Sequence, residues 1–135
     1  NVARHQDWRT VFNSLVMCIF ANVPPELVVG LINTSVGVEF SVEDMLKTGE
    51  RGWNLKRVIN NRLGLTRVND KLPKGLLIPY EDDPSGYVPD FAAMLNAYYN
   101  IREWDPVSGF PKPEKLSALN MDWVLKDLDL INRDV

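Results

Sequence analysis

The chain of 135 residues has one cysteine and one histidine, and that scarcity excludes a good deal of chemistry. A zinc or iron–sulfur site built wholly from one chain needs about four clustered thiolate, imidazole or carboxylate ligands. Cys18 and His5 cannot supply that set, and a single cysteine makes no internal disulfide. Long apolar runs are also lacking. The longest, Leu15 to Ala21, falls far short of the roughly 20 residues that cross a bilayer as a helix. Nor is there an excess of charge of one sign: 15 basic residues against 18 acidic ones give a net charge of −3, no footprint for nucleic acid or anionic lipid. A basic-then-apolar leader is absent and the first residue is Asn1, so the chain reads as cut from something larger. An unpaired cysteine fits a reducing, cytoplasmic setting.

What is present is ordinary globular material, 45% hydrophobic and 24% charged, long enough to bury a core without covalent staples. From Trp8 the apolar residues Val11, Phe12, Leu15, Val16, Ile19 and Phe20 recur at helical spacing, with Asp7 as cap or first-turn acid. The second half of this helix is apolar all round, which calls for burial on more than one side. Pro24-Pro25 opens a short helix to about Ser35, stopped by Gly37. Ser41 and Asp44 have capping-box spacing for a third helix to about Leu63, interrupted by Gly49 and Gly52, whose uses are a bend or the close approach of another backbone. Gly64 is its stop.

Residues 66–89 are rich in turn formers, and an irregular stretch longer than about 15 residues is functional or wraps over another surface. Wrapping is the expectation here, with Leu76-Leu77-Ile78 the one place for a brief strand pairing. Asp90 caps a helix with Phe91, Met94, Leu95, Tyr98 and Tyr99. Two more follow, near Glu114 to Leu119 and from Asp122 through Trp123, Leu125, Leu128 and Ile131. The fold class is all-α: an irregular multi-helical bundle with a long ordered loop, residues 1–135 forming one unit or dividing near 65–89.

Most candidate chemistry has a plain structural reading. His5 lies in a terminal segment with nothing to orient it as a base. Glu81-Asp82-Asp83 sits in a turn where acids are commonly solvated, and Tyr98, Tyr99 and Trp104 at helical spacing read as core. Taken alone, Cys18 is a small buried hydrophobe.

The stretch Gly49-Glu50-Arg51-Gly52-Trp53-Asn54-Leu55-Lys56-Arg57, then Asn60, Arg62, Gly64, Arg67, Asp70 and Leu72-Pro73, resembles the C-terminal region of the aldehyde:ferredoxin oxidoreductase family. Phe91-Ala92-Ala93-Met94-Leu95, Tyr98-Tyr99 and Arg102-Glu103-Trp104-Asp105 continue the likeness, with Glu103 where the family has glycine, and Gly109, Pro111, Leu116 and Leu119 complete it. The resemblance implies a tungsten or molybdenum bis-pterin cofactor and a 4Fe-4S cluster in a larger parent that oxidises aldehydes to carboxylic acids with ferredoxin as acceptor. Upstream domains, and an open choice of homo-oligomer, are the implied partners, with no nucleic acid and no membrane.

Asn13-Ser14-Leu15-Val16-Met17-Cys18 stands where the family has a motif like D-x-x-G-L-C. Cys18 is thereby implied as the fourth cluster ligand, and Asn13 and Met17 as cofactor-binding. Asn13 replaces the aspartate, Val16 the glycine and Met17 the leucine. These changes leave two other readings: a stand-alone helical interaction module without cofactor, or a divergent branch such as the tungsten subunit of a benzoyl-CoA reductase complex. If the chain is a covered part of a larger enzyme, the face bearing Met17, Cys18 and Phe20 is exposed in isolation.

Overall fold

A computed structural model describes residues 1–18, 20, 21 and 23–131, with the side chains of 128–131 left out; Ile19 and the side chains of Leu128 and Ile131, named above in apolar stripes, therefore lie outside it. Six α-helices form, α1 Val2–Ser14, α2 Pro25–Val36, α3 Val42–Arg62, α4 Phe91–Arg102, α5 Pro113–Ala118 and α6 Asp122–Ile131, and no strand forms among the described residues. The all-α expectation holds.

The first helix differs from its sequence reading at both ends. It starts at Val2, so His5 is helical and exposed, and Asp7 is no cap: it lies in mid-helix, buried. Ala3, Asp7 and Thr10 form one narrow buried stripe on α1, and this face meets α3. A Cβ on Gly49 would sit 2.0 Å from the Asp7 carbonyl oxygen, and one on Gly52 would sit 2.7 Å from Thr10 Cγ2. Close approach, not a bend, is therefore what the Gly49 position serves.

α1 also stops sooner than its apolar pattern continues. Val16 takes a left-handed conformation at φ 55°, its N–H donates to Asn13 O at 3.2 Å, and Met17 N–H donates to Phe12 O at 3.0 Å. This paired left-handed stop satisfies two free carbonyls of the last turn, and an apolar contact across it normally completes it. Met17 packs against the cluster containing Phe12. Local hydrogen bonding plus that contact override the helical period, so Cys18 lies on no helix.

The same stop recurs. At α3 it uses Gly64, at α4 Glu103 at φ 53°, and at α5 Asn120 at φ 56°, each with the matching pair of bonds: Gly64 N to Asn61 O and Leu65 N to Asn60 O, Glu103 N to Asn100 O and Trp104 N to Tyr99 O, Asn120 N to Ser117 O and Met121 N to Leu116 O. Glycine adopts this conformation freely and asparagine tolerates it, whereas a branched side chain is strained by roughly 1–2 kcal/mol. Val16→Gly is accordingly expected to raise stability by about 1 kcal/mol, read as a higher midpoint in urea at unchanged slope. A lower midpoint would mean that residue 16 is not held left-handed.

The start signals work as read. Ser41 Oγ accepts from Asp44 N at 3.1 Å while Asp44 Oδ2 accepts from Ser41 N at 2.9 Å, and Asp90 Oδ1 accepts from Ala93 N at 3.0 Å. α3 carries apolar packing at both of its ends. Near its start Met45 joins Val11, Phe12, Val28 and Val29, and near its finish Val58 joins Leu116, Leu119, Met121 and Val124.

Residues 66–89 contain only two short 3₁₀ turns, Arg67–Asn69 and Lys74–Leu76, so Leu76-Leu77-Ile78 does not pair as a strand. The first part of the segment wraps as expected, Arg67 bonding Asn96 and Asp70 bonding Arg57. From 76 to 88 the expectation of lying across other elements fails within this chain, because Leu76, Leu77, Ile78, Tyr80, Tyr87 and Val88 are all exposed.

Candidate functional site

The stop that ends α1 gathers the three residues singled out above. Asn13 is exposed on the last turn, Met17 is half-buried, and the free thiol of Cys18 is exposed immediately after it. Cys18 O accepts from Ala21 N at 3.0 Å. Val16 and Phe20, 92% and 90% exposed, flank the thiol. The residue-only reading of Cys18 as a buried hydrophobe is thus overturned, since the early helix stop turns it outward. The expected exposure of this face is seen for Cys18 and Phe20. Met17 departs from it, because its side chain is the latch of the stop.

No group of three or more His, Cys, Asp or Glu among the described residues is placed to hold a metal ion. The donor set here is one accessible thiol, with the exposed neutral amide of Asn13 earlier in the chain, which fits one ligand contributed to a site shared with other chain segments. The acids at 81–83 form no such group either. Asp83 instead accepts from Ser85 Oγ and N at 2.7 and 2.9 Å, and these bonds hold its carboxyl below the usual carboxylate range.

A second constellation lies between α1, α3 and α4, and it is where the motif residues of the resemblance go. The Arg57 guanidinium is buried; it donates to Gly109 O at 2.7 Å, Tyr99 Oη at 2.7 Å and Asp70 at 2.9 Å, and it lies 4.7 Å from the Trp104 ring centroid. Tyr99 also donates to Asp70. A Cβ at Gly109 would fall 2.0 Å from Arg57 Nη2, so this glycine makes room for the guanidinium.

Arg102, 1% exposed, donates to Asp7 Oδ1 at 2.7 Å, Ala3 O at 2.8 Å and Gln6 Oε1 at 3.0 Å. Trp53 Nε1 donates to Tyr98 Oη and Tyr98 Oη to Gln6 Oε1, both at 2.7 Å. Trp104 Nε1 donates to Asn54 Oδ1 at 2.8 Å. The rings of Tyr98 and Tyr99 each meet Trp104 edge to face at 5.5 Å, the packing expected of them. These donors are engaged inside the chain. The arrangement is a buried, hydrogen-bonded cross-brace, of the kind that specifies one packing when every member is satisfied.

Sequence reasoning missed the Asp7–Arg102 pair. Its signals were indirect: an acid inside a helix that starts earlier than its apolar stripe, and an arginine ending the last turn of α4.

Tyr99, in this brace, and Lys115, on α5, give the fold a pH limit. Burial, then the hydrogen bond to Asp70, pushes the Tyr99 phenol above its ordinary value of 10.0. Burial pulls Lys115 down, but its bonds to Glu50 and Glu103, at 2.8 and 3.1 Å, outweigh that and leave it raised above 10.5. Both protonated forms are thus favoured by folding. Their contribution is complete below the ordinary values and is lost as pH rises through about 10 and beyond. Thermal midpoints should therefore fall above pH 10, less steeply in Tyr99→Phe; a flat profile to pH 11 would remove both groups from the account.

The profile of the family described as "Aldehyde ferredoxin oxidoreductase, domains 2 & 3" matches residues 1–121. Among similar curated proteins, the tungsten-containing aldehyde ferredoxin oxidoreductase of Pyrococcus horikoshii is 34% identical over 122 residues, covering 87% of this chain and 20% of that protein. Those of Pyrococcus furiosus and Thermococcus kodakarensis are 35% and 33% identical over 121 residues, each covering 86% of this chain and 20% of the relative. The chain spans about a fifth of the length of the relatives it matches, and by this match over residues 1–121 it belongs to the aldehyde ferredoxin oxidoreductase family.

Proposed function

We propose that this chain serves as the C-terminal helical part of a tungsten-bis-pterin, 4Fe-4S oxidoreductase that oxidises aldehydes to carboxylic acids with ferredoxin as acceptor, and that Cys18 supplies the fourth thiolate to the cluster. The observation that carries this reading is the exposed free thiol at the end of α1, set between the exposed side chains of Val16 and Phe20. A cluster thiolate is tuned by a dry, apolar surround, and these side chains supply one once another part of the parent covers them. The pterin-held metal provides the oxygen-transfer and redox chemistry, and the cluster the route for electrons.

The roles of this chain's own residues follow from their places. Cys18 holds the cluster edge, and the left-handed turn at Val16 aims it away from the helices. Met17 seats that turn on the α1–α2–α3 cluster and meets a pterin along the exposed part of its side chain. Asn13, on the last turn of α1, offers a pterin an amide donor and acceptor in place of a carboxylate. The 135 residues work as one unit rather than dividing near 65–89, because α3 carries both apolar clusters.

Replacing Cys18 in the full-length parent tests the reading. Cys18→Ser puts a poor hydroxyl donor beside three remaining thiolates. Iron per cluster and its reduced-state spectrum should change and aldehyde-dependent ferredoxin reduction should fail, while bound tungsten stays the same. Unaltered cluster spectra and turnover in Cys18→Ser and Cys18→Ala would return the residue to a structural role.

A further inference from the structure

We propose that the groove between α3 and α4 binds a small organic anion with a flat apolar body. Trp53, Lys56 and Asn60 stand on one face of α3, and Phe91, Leu95 and Tyr98 on one face of α4. They border a groove of about 410 Å³ with Trp104 also in its lining. That volume lies within the range of about 300–1,000 Å³ typical of small-molecule pockets, which are mostly apolar with a few placed polar groups. Half-buried Trp53, Phe91 and Leu95 leave part of their surface open to it. A flat apolar ligand would cover that surface.

The charge lining the groove has a sign. Arg57 and Asp70 both border it but neutralise each other at 2.9 Å, with the Tyr99 hydroxyl also turned on Asp70. The remaining charged groups there are Lys56 and Lys71, and neither enters any of the ion pairs found among the described residues. Lys56 Nζ lies 5.7 Å from the Trp53 ring centroid, which places an ammonium directly above the aromatic wall. Two cations outside those ion pairs, lining the same groove as aromatic and aliphatic walls, complement an anionic head on a flat apolar body. This inference stands apart from the Cys18 reading and uses none of its residues.

Titration of the isotopically labelled 135-residue chain by NMR tests it, with cinnamate as the probe and cinnamamide as its neutral isostere. Cinnamate should shift the indole N–H signals of Trp53 and Trp104 in a saturable way while those of Trp8 and Trp123 stay still. Cinnamamide should bind at least about tenfold more weakly, the loss of one good charge contact. Lys56→Met and Lys71→Met, both at exposed positions, should each weaken cinnamate by about three- to tenfold and leave cinnamamide unchanged. Failure to saturate, equal binding of the amide, or shifts centred on Trp8 or Trp123 would each overturn the assignment.

Discussion

Arg102→Met is expected to cost about 3–5 kcal/mol, a large share of the roughly 5–15 kcal/mol by which such domains are stable. The substitution keeps much of the aliphatic volume but removes donors to Asp7, Ala3 and Gln6 at once. Asp7 would then be a buried carboxylate without its cation, since the Arg102 guanidinium is the side-chain donor at 2.7 Å from it. Burial already pushes the Asp7 carboxyl above its ordinary value, outweighing the pull of Arg102. That direction means the pair is sustained at a desolvation cost and is no large net stabiliser. Breaking one side and removing both are therefore different experiments.

The double variant Asp7→Asn, Arg102→Met should recover at least half of the single variant's loss, because it buries no unpaired charge. Urea denaturation followed by circular dichroism reads both. If the double variant is no better than Arg102→Met alone, the brace acts through the arginine's packing and not through its charge. The pH arm has a definite sign as well. With a folded-state value above the unfolded one, the Asp7 contribution is greatest in acid and declines as pH rises through the interval between the two.

Gly49→Ala should be destabilising by about 2 kcal/mol or more, although helix propensity alone favours alanine over glycine by about 1 kcal/mol. The two effects have opposite signs, so the sign of the result decides between them. The added methyl would sit 2.0 Å from the Asp7 carbonyl oxygen and 2.7 Å from its carbon, and both are backbone atoms that cannot rotate aside. Relief requires α1 to move off α3, which opens the apolar cluster holding Val11, Phe12 and Met45. Gly30→Ala in α2 is the control. Nothing lies within 4 Å of its added methyl, so propensity acts alone and a gain of up to about 1 kcal/mol is expected. Stabilisation by both substitutions would show that α1 does not rest on Gly49.

Much of this fold was legible where local chemistry decides it. Ser41 with Asp44, Asp90, Pro25, Gly37 and Gly64 marked helix ends that the structure keeps, because caps and stops depend on a few neighbouring residues. The end of α1 was illegible for the same physical reason turned around. Its left-handed stop sits on a valine, and an apolar period running past it looks like more helix. Glu103 hides another stop behind a residue that favours helix interiors, although the resemblance placed a glycine at both positions.

The candidate site divides likewise. Asn13, Met17 and Cys18 were found through the resemblance and prove to share one turn, while the outward direction of Cys18 could be had only from where the helix ends. The motif around Arg57 and Arg102, which carried the resemblance in sequence, turns out to brace helices, and nothing local pairs residues so far apart. The groove between α3 and α4 needed coordinates, since its two walls come from helices separated by an irregular segment.

The Asp7–Arg102 bond joins positions 95 residues apart, and that separation sets an order of events while the chain is being made. Synthesis proceeds from the N-terminus, and elements can associate once they have emerged. α1, α2 and α3 are complete by residue 62, so α1 can settle on Gly49 and the first apolar cluster can close early. Until α4 leaves the ribosome, however, Asp7 has no guanidinium to meet, and its carboxylate stays without that partner. The early assembly is therefore provisional. Arrival of Arg102 at the end of α4 converts it into a committed one, and a chain halted before that residue would hold its helices together without the charge that locks them.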